Sequence, residues 1–408
     1  MKTCKLALTV CAFAITTAFA QDDQPIPVAP GTPLSQKFHG PASLQSAAAP
    51  QNAAAPPITG STIPSFNYSV ISPVDGKTYN GTIIGVNPAT KPGKTTVVPT
   101  ILVPVKLNFK YSATTSFIFD PTAADAGCLG GSNNAFSLTQ LSPIFNDTNF
   151  VLGGVNVGNT QYLDAFERAN FWTDVIAAGG ANYHTLLGVA PMPTQTVTIT
   201  SANSGTPNGT VYSFTGLCGT NTGNINAPGL LGVMNINAWD PIARSLITKL
   251  GITPNSFVLF LFYNAVMSSG NPTNLSNCCI LGYHSAVGSQ TYGNSEFEGR
   301  NQTLFSGTAD TSILSHEIGE WMDDPLVNNP TPAWGHIGQV SGCQGNLEVG
   351  DPLSGTLLPA VKMPNGFSYH LQELAFFDWF YRITPSTGVH GWYSDEGTFT
   401  TGAGAVCQ

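Results

Sequence analysis

Ser315-His316-Glu317-Ile318-Gly319-Glu320-Trp321-Met322-Asp323-Asp324-Pro325 is the stretch around which the rest of this chain is organised. It predicts a helix from about Thr311 to Asp324, stopped by Pro325. Residues four apart on a helix share a face. His316 and Glu320 therefore point the same way, with Glu317 one step round. An imidazole and a carboxylate at that spacing can share one metal ion, and the neighbouring carboxylate can take a proton from water at the metal. The familiar form of this device is H-E-x-x-H. Here Glu320 stands where the second histidine would be.

A metal needs further donors, and the next candidate is Asn346-Leu347-Glu348-Val349-Gly350-Asp351. This segment resembles the one that brings the third ligand in glutamate-ligand zincins, which also carries an acidic partner for a metal-bound histidine. The resemblance implies His316, Glu320 and Glu348 as ligands of one zinc ion, Glu317 as general base, and Asp351 as the residue that orients a ligand. One histidine and two glutamates neutralise a divalent ion and weaken it as a Lewis acid, so bound water would ionise above the pH of about 7 usual for catalytic zinc. The oxygen donors also widen the choice toward Mn²⁺, Fe²⁺ or Ca²⁺. His336, in Trp334-Gly335-His336-Ile337-Gly338, is a candidate replacement ligand or oxyanion donor. His284, in Gly282-Tyr283-His284, is a candidate that reaches the cleft from a strand. Each is more readily read as an ordinary surface or core histidine. His370, opening a helical stretch Leu371 to Phe377, and His390 are weaker candidates.

Outward from the helix, the preceding elements fall in a definite order. Pro241 to Leu250 predicts a helix with Asp240 as N-cap, Pro241 at its first position and Gly251 as its stop. Ser256 to Val266 is apolar on both faces, as a buried central strand is. Cys279 to Ala286 reads as a shorter, edge-like strand. Helix, buried strand, edge strand and active helix follow one another in zincin-type metallopeptidases, which this order resembles. In the first half, Tyr68 to Ile71 and Thr82 to Val86 predict strands about the turn Asp75-Gly76. Thr95 to Phe109 alternates like a strand, with Pro99 and Pro104 pushing parts of it to an edge, and an antiparallel β unit is expected. Gln161 to Ile176 predicts a helix. Its aromatic residues suit a core better than a sugar-binding face. Gln195 to Ser201 and Thr210 to Phe214 read as strands about Asn208-Gly209. The fold class is therefore α+β: a β-rich region with one helix over 65–222, then a zincin-like α/β domain with the metal-site helix over 223–408.

Charged residues make up only 9% of the 408, and the formal net charge is -9. There is no basic patch for nucleic acid or an anionic membrane surface. Residues 1–20 read as a secretory signal: Lys2 and Lys5, an apolar run to Phe19, and Ala18-Phe19-Ala20 as the cleavage site. An Ala/Pro-rich linker follows over 21–64. No later apolar run is long enough to span a bilayer, so the expectation is a secreted or periplasmic protein. Six cysteines lie beyond the signal, Cys128, Cys218, Cys278, Cys279, Cys343 and Cys407, enough for three disulfides in an exported chain. Adjacent Cys278 and Cys279 are expected to reach two different partners. No C-x-x-C spacing favours a thiolate zinc site. Asn67, Asn80, Asn146, Asn208, Asn274 and Asn301 are Asn-x-Ser/Thr positions, a number that chance accounts for in so Asn-rich a chain.

The motifs Cys279-Ile280-Leu281-Gly282-Tyr283-His284, Tyr292-Gly293-Asn294, His316 to Glu320 with Asp324-Pro325-Leu326-Val327-Asn328, Trp334, and Glu348 to Asp351 resemble the EXORDIUM/phosphate-induced-protein group of secreted proteins. They are also similar to exported bacterial proteins that bear an H-E-x-x-E helix. The likeness covers about a quarter of the chain, from Cys278 to about Pro364. It implies an extracellular protein with a zincin-like site. Two functions follow as expectations. The first is an exported metallopeptidase acting on a peptide or cell-wall substrate through Glu317. The second is a secreted cell-surface binding or signalling protein whose metal is structural or whose site is vestigial. A third, weaker expectation is carbohydrate binding by the aromatic-rich β region.

Overall fold

The computed structural model describes residues 63–408 apart from 111–115, 178, 181, 201–206, 215–228, 300–304, 306, 403–406 and 408. The expected signal, nearly all of the linker, Cys218 and Asn301 lie outside these residues.

The described chain is a mixed α+β protein rich in strands. It opens with a hairpin, β1 (Ser65–Ile71) and β2 (Thr78–Ile84), paired antiparallel about Asp75-Gly76. Gly76 has φ +68°, which glycine adopts without a Cβ clash. The spine of the molecule is β3 (Thr95–Lys110), 16 residues long, and β4 (Ser116–Phe119) returns antiparallel upon it. After a short helix α1 (Ala135–Gln140), capped at both ends of its box by Asn134 and Ser137, comes the hairpin β5 (Thr148–Leu152) and β6 (Val155–Thr160). Helices α2 (Tyr162–Asn170) and α3 (Trp172–Ala177) occupy the stretch expected to form one helix. Tyr162 and Phe166 are fully buried, so the aromatic face of α2 is core and offers no sugar platform.

Strands β7 (His184–Pro191) and β8 (Gln195–Thr200) both run parallel to β3. Next come β9 (Gly209–Phe214), β10 (Gly229–Asn235) and helix α4 (Ile236–Lys249). Helix α4 begins before the expected cap. Asn235 is the N-cap, accepting from Asn237 N, and Pro241 lies inside the helix. Asp240 is instead a buried acceptor for Tyr292 (2.5 Å) and Tyr283 (3.1 Å). Gly251, at φ +65°, ends the helix as expected.

Strands β11 (Phe257–Tyr263), β12 (Ala265–Ser268), β13 (Cys278–Ile280), β14 (Gly282–Val287) and β15 (Gln290–Phe297) precede helix α5 (Ser312–Asp323). A hairpin, β16 (Pro330–Ile337) and β17 (Val340–Asn346), follows, and a short antiparallel pair, Val361–Lys362 with Ser368–Tyr369, comes after it. The large sheet has the order β14-β15-β11-β3-β4, with β7 and β8 also on β3. It draws strands from both sides of residue 222, so the expected division there does not separate two sheets. Nor is β3 an edge strand in an antiparallel unit: its pairings with β7, β8 and β11 are parallel. Its prolines fall where one neighbour is missing. Pro99 precedes the β11 register, which starts at Thr100, and Pro104 sits between the end of β7 pairing at Leu102 and the start of β8 pairing at Val105. No ladder bond is lost there.

Every residue of β11 is buried. Trp239 of α4 covers one face, edge-on to Phe260 and Phe262. Trp321 of α5 covers the other, stacked on Phe257 with ring centroids 3.8 Å apart. Helices on both faces are what parallel strands require. This packing fixes α5 across β14 and β15, with β14 the antiparallel edge strand.

Cys278 and Cys279 are bonded to each other, and Cys343 to Cys407. The expected separate partners for the adjacent pair are not present. Cys128 is also disulfide-bonded, and the neighbours of Cys278 and Cys279 in their core are apolar groups such as Leu231, Val233 and Phe305. Among the described residues, no helix is long and apolar enough to cross a membrane.

Candidate metal centre

Helix α5 turns His316, Glu317 and Glu320 toward β14 and toward the segment after β17. His284, Glu320 and Glu348 offer ligand atoms within 4.8 Å of one another, and His316, Glu317 and Glu320 do the same. Glu320 joins the two groups. His316 Nε2 lies 3.1 Å from Glu320 Oε1, and His284 Nδ1 lies 3.7 Å from Glu320 Oε2. His284 Nε2 is 3.8 Å from Glu348 Oε2, and its Nδ1 is 3.9 Å from Glu317 Oε2. Donors about 2.0–2.1 Å from a tetrahedral ion stand roughly 3.3 Å apart. The His316 Nε2–Glu320 and His284 Nδ1–Glu320 separations, 3.1 and 3.7 Å, bracket that value.

The tautomers follow from the hydrogen bonds. Gln372 Nε2 donates to Gly350 O at 2.7 Å, which turns Gln372 Oε1 toward His316 Nδ1 at 3.1 Å. An amide oxygen only accepts, so Nδ1 carries the proton and Nε2 presents its lone pair. That lone pair faces a carboxylate oxygen at 3.1 Å. Two electron-rich atoms at this distance call for a positive charge between them, a metal ion or a second proton. His284 repeats the pattern: Nε2 lies 3.2 Å from Asp324 O, a carbonyl, so its Nδ1 is the bare nitrogen turned toward Glu317 and Glu320.

The centre lies deep. His284, Glu320 and Glu348 have no exposure, while His316 is 3% and Glu317 4% exposed. Burying charge is costly unless it is neutralised. Two neutral imidazoles with Glu320 and Glu348 balance a divalent ion, so the donor set fits one. The small exposure of His316 and Glu317 puts the approach to the centre on their side.

Backbone features make room for these groups. A Cβ on Gly350 would lie 2.4 Å from His316 Nδ1, and one on Gly282 would lie 2.5 Å from Glu317 Oε1. Glu320 Oε1 accepts from Gly350 N and Asp351 N, both at 3.1 Å, which ties the Glu348 segment to α5. Gln372 N in turn donates to Ser315 Oγ at 2.9 Å.

His316, Glu317, Glu320 and Glu348 are thus brought together as the sequence implied. Asp351 is close but plays another part. Its Oδ1 is 3.7 Å from His316 Nε2, beyond hydrogen-bond reach, and its carboxylate accepts from Gln339 and from Gln344 (2.7 Å). The orienting bond to His316 comes from Gln372, which sequence reasoning missed. The expected helix over Leu371 to Phe377 is instead extended, with helix only at Phe377–Tyr381, and that is how Gln372 reaches α5. His336 does not join the centre. It is exposed on β16, 3.9 Å from Cys343 Sγ, because the β16–β17 turn points it outward. The nearby Cys343 and Cys407 sulfurs are bonded to each other and supply no thiolate. His370 pairs with Asp310 at 2.6 Å, and His390 binds Gly153 O at 2.8 Å.

No family model matches the chain, and neither a curated protein nor a solved structure matches it.

Proposed function

We propose that this chain is an exported, zinc-dependent hydrolase of the zincin-like metallopeptidase kind, with peptide or cell-wall material as substrate. The observation that carries the reading is the bare His316 Nε2 facing Glu320 Oε1 at 3.1 Å, on the same helix as Glu317 and beside His284 and Glu348. His284, His316, Glu320 and Glu348 would hold the ion, which supplies Lewis-acid polarisation when bound. Glu317 is not needed to balance the charge. Its place on the accessible side suits it to take a proton from an attacking water and pass it to the leaving amine. Gln372 keeps His316 in the tautomer that ligates through Nε2. The antiparallel edge strand β14 beside α5 also supports the zincin-like reading.

One observation favours a second reading. The centre's 0–4% exposure is that of a closed, structural metal site, and such a site suits a secreted binding or signalling protein. Two variants decide between the readings. Protein purified without chelator should carry one equivalent of zinc or a similar ion, lost in His316→Ala. Glu317→Gln should keep the metal and lose hydrolysis of a fluorogenic peptide library by at least about 10²-fold. Metal in the wild type with no hydrolysis of any peptide would select the structural reading. No metal in either protein would end the hydrolase reading and leave a binding protein with a vestigial site.

A further inference from the structure

The run that follows α5, Asp324-Pro325-Leu326-Val327-Asn328-Asn329, supplies none of the donors described above, yet its hydrogen bonds converge on them. Asp324 folds the run into a turn. Its Oδ1 accepts from Asn328 N at 2.8 Å and from Asn329 N at 2.9 Å, and its carbonyl accepts from Val327 N at 3.1 Å. A side-chain oxygen used in this way stands in for the backbone partners that a turn lacks. Val327 sits at φ +52°, a region that a β-branched residue occupies only when its surroundings hold it there. Asn329, 1% exposed, fastens the turn. Its Nδ2 donates to Asp323 O and, at 2.7 Å, to Thr82 O, while its Oδ1 accepts from Thr82 N at 3.0 Å. Gly81 leaves room for this clamp, since a Cβ there would lie 2.5 Å from Asn329 Oδ1. The Asn329 carbonyl accepts from Leu347 N at 3.1 Å, one residue before Glu348.

The Asp324 carbonyl has a second lone pair, and His284 Nε2 meets that carbonyl at 3.2 Å. A carbonyl only accepts, so the nitrogen facing it carries the proton. The lone pair of the ring then falls on Nδ1, on the side of Glu317 and Glu320. We propose that this turn is a positioning device for the metal centre: Asp324 and Asn329 are positioning residues that hold His284 in its Nε2-protonated tautomer. A carbonyl fixed by the bonds around it selects one tautomer. On a loose turn it would rotate away and leave the two tautomers close in energy. The turn also joins the β1–β2 hairpin, through Thr82, to the segment that carries Glu348. The consequence for zinc rests on the metal-centre reading above; the tautomer does not.

The test reads the ring nitrogens of His284 by nitrogen–proton correlation NMR in the metal-free, full-length mature protein, with His284→Gln assigning the signals. Zinc affinity is measured beside it by chelator competition. Wild type should show Nε2 protonated and Nδ1 not. Asp324→Ala removes the acceptor of both turn N–H groups, and Asn329→Ala removes the clamp on Thr82. Each should give a mixture of tautomers and weaken zinc about 10–100-fold. Asp324→Asn keeps an oxygen acceptor in place and should return both readouts to wild type. Leu326→Ser, which alters an exposed side chain of the same turn, should match wild type throughout. Wild-type His284 protonated on Nδ1, or on both nitrogens, overturns the proposal, and that measurement needs no variant to fold. So does a wild-type tautomer retained in folded Asp324→Ala or Asn329→Ala. Wild type that binds no zinc ends the metal-centre reading alone, because the ring signals still decide the tautomer. Mixed tautomers with undiminished zinc affinity would uphold the lock and remove His284 from the ligands.

Discussion

Alanine at Gly350 should disable the proposed metal centre without replacing a ligand. The new Cβ would lie 2.4 Å from His316 Nδ1, 2.6 Å from its Cγ and 2.7 Å from its Cε1. Ordinary contact begins near 3.4 Å, so the imidazole must retreat by about 1 Å. Backbone at Gly350 is fixed by its N–H to Glu320 and its carbonyl to Gln372, so the ring has to give way. Moving it breaks the 3.1 Å bond to Gln372 Oε1 and swings Nε2 off its line to Glu320. Disturbing a ligand's supporting bond costs 10–100-fold in metal affinity, or about 1.4–2.7 kcal/mol. Overpacking should take a further 1–3 kcal/mol, roughly, from stability. Zinc affinity by competition with a chromophoric chelator, beside a thermal melt, reads both effects. Gly342→Ala is the control, because a Cβ there meets nothing within 4 Å. A folded Gly350→Ala protein with wild-type zinc affinity would refute the placement of His316 as a ligand.

Other substitutions probe the same structure from different sides. Gln372→Leu should weaken zinc about 10–100-fold through loss of the tautomer lock, measured by the same competition, while His336→Ala should leave zinc binding and any activity unchanged. Trp321→Ala should destabilise by about 3–5 kcal/mol in urea unfolding, since its ring lies flat on Phe257 in the core. Cys343→Ser opens a loop of sequence separation 64 and should lower stability by about 4 kcal/mol on chain-entropy grounds, read by urea midpoint without reductant. The Asp310 hydrogen bond raises the pKa of His370 above 6.5 despite the opposing effect of burial. That pair should stabilise fully below about pH 6.5 and fade as pH rises through the raised value. The wild-type advantage over His370→Gln in urea should therefore shrink between pH 6 and pH 9, and an advantage that grows would contradict the pairing.

Local periodicity determined a good deal of this protein. Helix α5, the fully apolar β11 and the Asp75-Gly76 hairpin were legible because each depends on side-chain spacing or on a single turn glycine. His316, Glu317 and Glu320 were legible for the same reason, and Glu348 through its motif. Tertiary structure alone decided the rest. His284 enters the centre because β14 pairs with β15 in a register that sets it under α5, and Gln372 because a stretch with helix-like composition is held extended between Thr356, Val349 and Leu358. Neither partner is near the helix in sequence, and neither carries a spacing that betrays it. Proline content argued parts of β3 to an edge, and within its 16 residues both prolines do fall where one neighbouring strand is missing, though β3 itself is central. Glu167 and Asp323 look like solvated helix charges until the packing of α2 on α5 closes over them. Spacing along a chain fixes which side chains share a face; which faces meet, and what charge they bury together, is settled only by packing.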